Sequence, residues 1–151
     1  MPRVKLDAVT VPALLQKGGW PAERLTTDTW RSSFQGRSAS FPVFVRVDRE
    51  GGWVHFAIVP FLRSPPDEDA AHRLYTRLMQ LNQQLLMAKF SIDDDLDVVL
   101  SVEYPIAEID DNEFADALDV LSYYADRHHA ELAPLASAPA PASGPPRGPH
   151  G

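Results

Sequence analysis

Three aspartates at alternate positions, Asp93, Asp95 and Asp97, are the side chains in this sequence that come nearest to a metal-binding pattern. They match the first three ligand positions of a calcium loop, where carboxylates at alternate residues close around a hard cation. The match stops there. The sixth position is Val98, where such a loop turns on glycine, and the twelfth is Tyr104, where a bidentate glutamate belongs. Residues 98–104 also alternate as a strand, which a calcium loop could not be. The aspartates are therefore read as a solvated hairpin turn whose charge keeps that edge soluble.

The histidines offer no better constellation. His128 and His129 are adjacent, so on a helix they point ~100° apart and cannot chelate one ion together. His72 falls on a different helix, His55 on a strand and His150 in the tail. Placed near the negative end of the last helix, His128 and His129 are expected to favour a proton. The chain has no cysteine, which excludes disulfides, thiolate catalysis and thiolate-bound metal. Gly18-Gly19 and Gly51-Gly52 are isolated pairs at turns rather than a phosphate-cradling loop. No catalytic residue, no metal and no cofactor is expected, so the chain is read as a binding protein rather than an enzyme.

Surface remains. In the runs 41–47 and 53–59, Val43, Val45 and Val47 share one face, as do Val54, Phe56 and Ile58. If those faces meet the helices, Phe44 and Arg46 lie opposite, together with Trp53 and His55; Trp30 can join either face. Aromatics beside arginine on an open sheet suit recognition of a partner protein, and Phe44, Arg46, Trp53 and His55 are the candidate surface. The same chemistry suits single-stranded nucleic acid through stacking and phosphate contact. The net charge of −7 places that alternative second. Charge is unevenly distributed: residues 1–66 carry nine Lys/Arg and five Asp/Glu, residues 67–133 four and sixteen. Such asymmetry favours self-association or a charged partner, or else marks two solvated faces of one domain.

These residues need elements to position them. Thr10, Pro12 and Gly18-Gly19 delimit a short helix. Trp20-Pro21 begins an extended connection, and 28–34, 41–47 and 53–59 read as strands, the last two joined through a glycine-bearing hairpin turn. Ser64-Pro65-Pro66-Asp67 opens a long helix whose stripe of Ala71, Leu74, Tyr75, Leu78, Asn82, Leu85 and Leu86 reaches about Met87. A second hairpin, 89–92 and 98–104, ends at Pro105. A last helix opens at Asp110 or Asp111. The order α-βββ-α-ββ-α predicts an α+β fold, an antiparallel sheet with helices packed on it.

The domain is expected over 1–132. Residues 133–151 are almost wholly Pro, Ala, Gly and Ser and predict a disordered tail. The beginning of the chain lacks a signal-peptide core and no apolar run approaches the ~20 residues of a membrane span. A soluble, cytoplasmic protein is expected.

The stretch Leu74–Leu132 resembles the YbjN family and, through it, the type III secretion chaperone-like fold. The resemblance is carried by Leu81-Asn82, by Lys89-Phe90-Ser91-Ile92-Asp93 and by Val98 to Pro105. The acid-capped helix bearing Phe114, Leu118, Leu121 and Tyr124 completes it. It implies the same element order and points to proteins that dimerise and bind extended client segments, or act as regulators. The expectation is a homodimeric, cofactor-free adaptor for an unidentified client or regulatory protein. Its subunit contact falls on the long helix at Tyr75, Met79, Asn82 and Leu86. Asn82 is anomalous on an apolar stripe, because a buried amide needs a partner, either nearby backbone or a second subunit.

Overall fold

The computed structural model describes residues 3–137. The expected tail lies, from residue 138 onward, outside the described residues. The elements are α1 (Thr10–Lys17), β1 (Glu23–Thr26), β2 (Thr29–Gln35), β3 (Ser40–Asp48), β4 (Trp53–Arg63), α2 (Glu68–Asn82), β5 (Ala88–Ile92), β6 (Asp97–Pro105) and α3 (Asp111–Ala136). All six strands form one antiparallel sheet in the order β1-β2-β3-β4-β6-β5. The architecture is α+β, as the sequence predicts, with one strand more, α-ββββ-α-ββ-α. The added strand β1 lies in the connection after Trp20-Pro21. All four of its residues are exposed, so it carries no alternation that a sequence pattern could register.

Alternation explains which face of the sheet is covered. Trp30 and Ser32 of β2, Val43, Val45 and Val47 of β3, Val54, Phe56 and Ile58 of β4, and Val98, Leu100 and Val102 of β6 are buried. They meet Leu74, Leu78 and Leu81 of α2 and Phe114, Leu118, Leu121 and Ala125 of α3 in one continuous core. Trp30 is thus an inner-face residue, 1% exposed, with the Arg24 guanidinium 5.9 Å from its ring centroid. Strand β4 runs past Pro60, which the shorter sequence-derived strand did not include. The pairing with β6 shifts between Ile58 and Leu62, and that bulge accommodates a residue lacking a ladder donor.

The helix caps differ in detail from the sequence reading. Helix α1 is organised by Asp7 rather than Thr10: the Asp7 carboxylate accepts from the Val9 and Thr10 amides at 2.9 and 2.8 Å. Asp7 is held below the usual carboxylate range chiefly by these backbone donors at Thr10 and Val9. Helix α2 is capped by Asp67, which accepts from the Ala70 amide at 2.9 Å. Ser64 instead donates to Leu96 O at 2.5 Å and accepts from the Tyr75 hydroxyl at 2.6 Å. This helix stops at Asn82, short of Met87, which takes a positive φ of 68° on the way into β5.

At α3 the Asp110 carboxylate takes the Glu113 amide while Glu113 returns to the Asp110 amide, a capping box. The helix then continues through Pro134 to Ala136, four residues beyond the expected end near Leu132. Proline in a last turn removes one intrahelical donor without having to carry the helix further.

The extension of α3 changes the expectation for its histidines. His128 and His129 stand two turns before the helix end, beyond the reach of its terminal dipole. Burial pushes both imidazoles below their ordinary value of 6.5. For His128, 8% exposed, the Glu131 carboxylate opposes the shift while Arg127 and Arg77 add to it. His129 lies edge-on to Phe41 and Phe61, its Nδ1 2.9 Å from Ser38 Oγ. The unfolded chain therefore binds more protons than the folded one below about 6.5. Stability is expected to be complete above that pH and to fall as pH drops through the unfolded value towards the folded ones. Urea titrations at pH 7.5 and 5.5 check this, and His128→Gln should reduce the difference between them.

Candidate partner-binding face

The helices α1, α2 and α3 pack on one side of the sheet, and among the described residues no layer covers the other side. The registers arrange its side chains in rows. Thr29, Arg46, His55 and Glu103 stand opposite one another across β2, β3, β4 and β6. The next row is Arg31, Phe44, Ala57, Ser101 and Lys89, which reaches β5. A shallow depression of about 500 Å³ lies along these rows, lined by Phe44, Arg46, His55, Lys89 and Glu103 among others. Trp53 projects from the same face at the hairpin end, between Asp48 and Pro105, and is 44% exposed. The structure thus brings Phe44, Arg46 and His55 together and places Trp53 beside them along the strand.

Three participants escaped the sequence reading. Glu103 accepts from Lys89 Nζ at 2.6 Å and faces His55 Nδ1 at 3.0 Å. The Lys89 ammonium, donating directly, holds the Glu103 carboxyl below the usual carboxylate range, with the Lys89 and His55 charges adding to the effect. Arg31 places its guanidinium 6.0 Å from the Phe44 ring centroid. Arg31 could have been found from sequence by continuing the β3 register outward to β2. Lys89 and Glu103 could not, because they reach the face only once β6 is known to pair with β4. Among the described residues, neither Arg31 nor Arg46 has an ion-pair partner.

The residues expected at a subunit contact fall into two groups. Met79 and Leu86 are exposed, 68% and 75%, and Met79 and Tyr75 border a second depression of about 470 Å³ on α2. Asn82 is used within the chain. Its Nδ2 donates to Phe90 O at 3.0 Å and its Oδ1 accepts from Phe90 N at 2.7 Å, tying the end of α2 to strand β5.

The aspartate turn is occupied by its own backbone. Asp93 Oδ1 accepts from the amides of Asp95 and Asp97 at 3.0 and 2.9 Å, and Leu96 takes a φ of 63° to close the hairpin. Among the described residues, no three His, Asp or Glu side chains converge as a metal site. No described helix is long and apolar enough to cross a membrane.

The YbjN family, "Putative bacterial sensory transduction regulator", matches residues 7–133. The chain belongs to the YbjN family. Solved structures agree on its fold. A chain of the heterodimeric ExoU–SpcU complex from the type III secretion system of Pseudomonas aeruginosa superposes with a TM-score of 0.59 at 20% identity, covering 86% of this chain and all (100%) of that one. E. coli YbjN gives a TM-score of 0.61 at 15% identity, over 86% of this chain and 96% of that one. A chain of the ExsC–ExsE complex gives 0.57 at 15%, over 89% and 100%. At such identities the likeness is one of fold: this YbjN-family chain has the type III secretion chaperone-like architecture. No curated protein matches it in sequence.

Proposed function

We propose that this chain is a non-catalytic adaptor, chaperone-like or regulatory, that binds a partner polypeptide on the open sheet face around Phe44, Arg46, Trp53 and His55. The observation that carries this reading is the uncovered face itself. The six-stranded sheet packs its helices on one side and leaves Phe44, beside Arg31 and Arg46, and the exposed Trp53 facing outward. Large aromatics held on rigid strands are efficient anchors, since little of their freedom remains to be lost on binding. The family's regulatory description and the fold shared with chains seen in complexes with partner proteins support the same reading. The protein works as a cytoplasmic homodimer, with the contact at Tyr75 and Met79 of α2 and at Leu86 in the turn after it, away from the sheet face.

Affinity capture from an extract of the source bacterium, followed by mass spectrometry, tests the binding surface. The Phe44→Ala/Trp53→Ala double variant should lose a partner that the unchanged chain retains, with its circular dichroism unaltered. Equal capture by both would place the surface elsewhere. In the same preparations light scattering at micromolar concentration should return twice the mass of one chain for both proteins. A monomer would remove the α2 contact from the reading.

A further inference from the structure

We infer that the partner segment taken by the open sheet face is an extended acidic peptide carrying a bulky apolar side chain. This rests on the reading of that face as the partner-binding surface and adds what the surface selects.

The centre of the face is cationic although the whole chain carries a net −7. Arg31, Arg46 and Lys89 project from it beside His55, with the Glu103 carboxylate at its centre and Glu23 opposite Arg31 at the β1 edge. Glu103 is already met by Lys89 and His55. Among the described residues, neither guanidinium is in an ion pair. Arg31 lies over the Phe44 ring, and Arg46 occupies the neighbouring row on the same strand as Phe44. Each presents a planar fork of donors that fits a carboxylate in bidentate fashion, which a lysine would not. Between them the Phe44 ring and the Ala57, Val59 and Val99 side chains give the depression an apolar floor.

An occupant that satisfies both halves alternates carboxylates with an aromatic or aliphatic side chain. Successive side chains of an extended peptide face opposite ways, so residues two apart would reach the floor and its rim together. The depression crosses from β2 to β5, five strands or about 19 Å at the usual strand spacing, a span filled by about six extended residues.

A nucleic-acid strand fits less well. Phosphates call for a continuous cationic track, whereas Glu103 interrupts this one and is paired with Lys89. Three acidic residues of α3 are engaged away from this face. Asp126, Glu131 and Asp111 pair with Arg37, Arg77 and Lys17.

Selection from a random displayed library of about 12-residue peptides against the full chain tests the inference. One synthetic winner is then titrated by fluorescence anisotropy at roughly 50 and 300 mM salt. Recovered peptides should be strongly acidic with an aromatic or aliphatic residue. Replacing their Asp/Glu by Asn/Gln should weaken binding about tenfold, and Arg31→Gln/Arg46→Gln should do the same with an unchanged urea midpoint. Neutral or basic winners that depend on Phe44 would overturn the acidic specificity and leave the partner-binding reading standing. No enrichment over the Phe44→Ala/Trp53→Ala chain would remove both. Binding of a labelled, about 20-nucleotide single strand, lost in the double arginine variant, would overturn the inference in favour of nucleic acid. A doubled mass lost in the same variant would overturn it in favour of a second copy of the chain.

Discussion

Phe56→Ala is expected to destabilise the fold by about 3–5 kcal/mol, while Phe44→Ala, one strand away, should change it by about 1 kcal/mol or less. The two residues have the same side chain and sit on neighbouring strands, so propensity and size cannot separate them. The face does. Phe56 is fully buried, stands between Val45 and Val102 across the sheet, and meets Phe114 of α3 edge-on with ring centroids 5.0 Å apart. Removing it opens a cavity where sheet and helix join, and neighbours fixed on β3, β6 and α3 cannot collapse into it. Phe44 faces the open side, partly buried, with the Arg31 guanidinium over its ring.

Urea denaturation read by circular dichroism measures both. Similar losses for the two variants would mean that the outer face is covered within the chain. Because a domain of this size is stable by only about 5–15 kcal/mol, the Phe56 variant should still fold but with its midpoint far lower. Phe44 can then be altered in binding experiments without loss of the scaffold.

The inner and outer faces of β3 and β4 were legible in the sequence because a strand buried on one side must alternate, and Val43, Val45, Val47, Val54, Phe56 and Ile58 do so without interruption. The acidic start of α3 was legible for a related reason: Asp110 and Glu113 satisfy amides three residues away, so the signal is local. What stayed hidden depends on non-local pairing or on the absence of a pattern. Strand β1 forms at an exposed edge and buries nothing that could mark it. Lys89 and Glu103 reach the candidate site from strands lying more than thirty residues beyond Phe56 in the chain, through a register that only the assembled sheet fixes. The end of α2 falls earlier than the pattern predicts because Leu85 and Leu86 prolong the apolar stripe beyond the helix. In the structure they belong to the turn that follows it, Leu85 buried and Leu86 exposed. The proton affinity of the histidines differs from expectation through that same dependence on an element's end. A helix four residues longer moves its terminal carbonyls away from His128, and burial against Phe90 and Tyr124 decides its proton instead.

Asn82→Ala is expected to destabilise the chain by about 2–3 kcal/mol, a large effect for a residue outside the apolar core. Strand β5 is the last strand of the sheet, with β6 on one side only. Edge strands expose unpaired backbone groups, and native proteins cover or interrupt them. Here the Asn82 amide occupies both backbone groups of Phe90, donating to its carbonyl and accepting from its amide as a neighbouring strand would. Alanine removes both hydrogen bonds and leaves two polar groups at a part-buried position without their partners.

Asn82→Asp distinguishes this role from simple space filling. The carboxylate can still accept from Phe90 N, but it sets an oxygen against Phe90 O where a donor had been, and repulsion replaces the second bond. At neutral pH the aspartate variant should therefore be less stable than the alanine variant. It should recover relative to both alanine and the unchanged chain as the new carboxyl takes a proton and regains its donor. Urea midpoints of the three proteins at pH 7 and 4.5 read the order directly. If the aspartate variant matches the unchanged chain at pH 7, the paired bonds to Phe90 are not what holds α2 to β5. If both substitutions lower the midpoint as predicted, the anomalous amide on an apolar stripe is accounted for by the edge it closes.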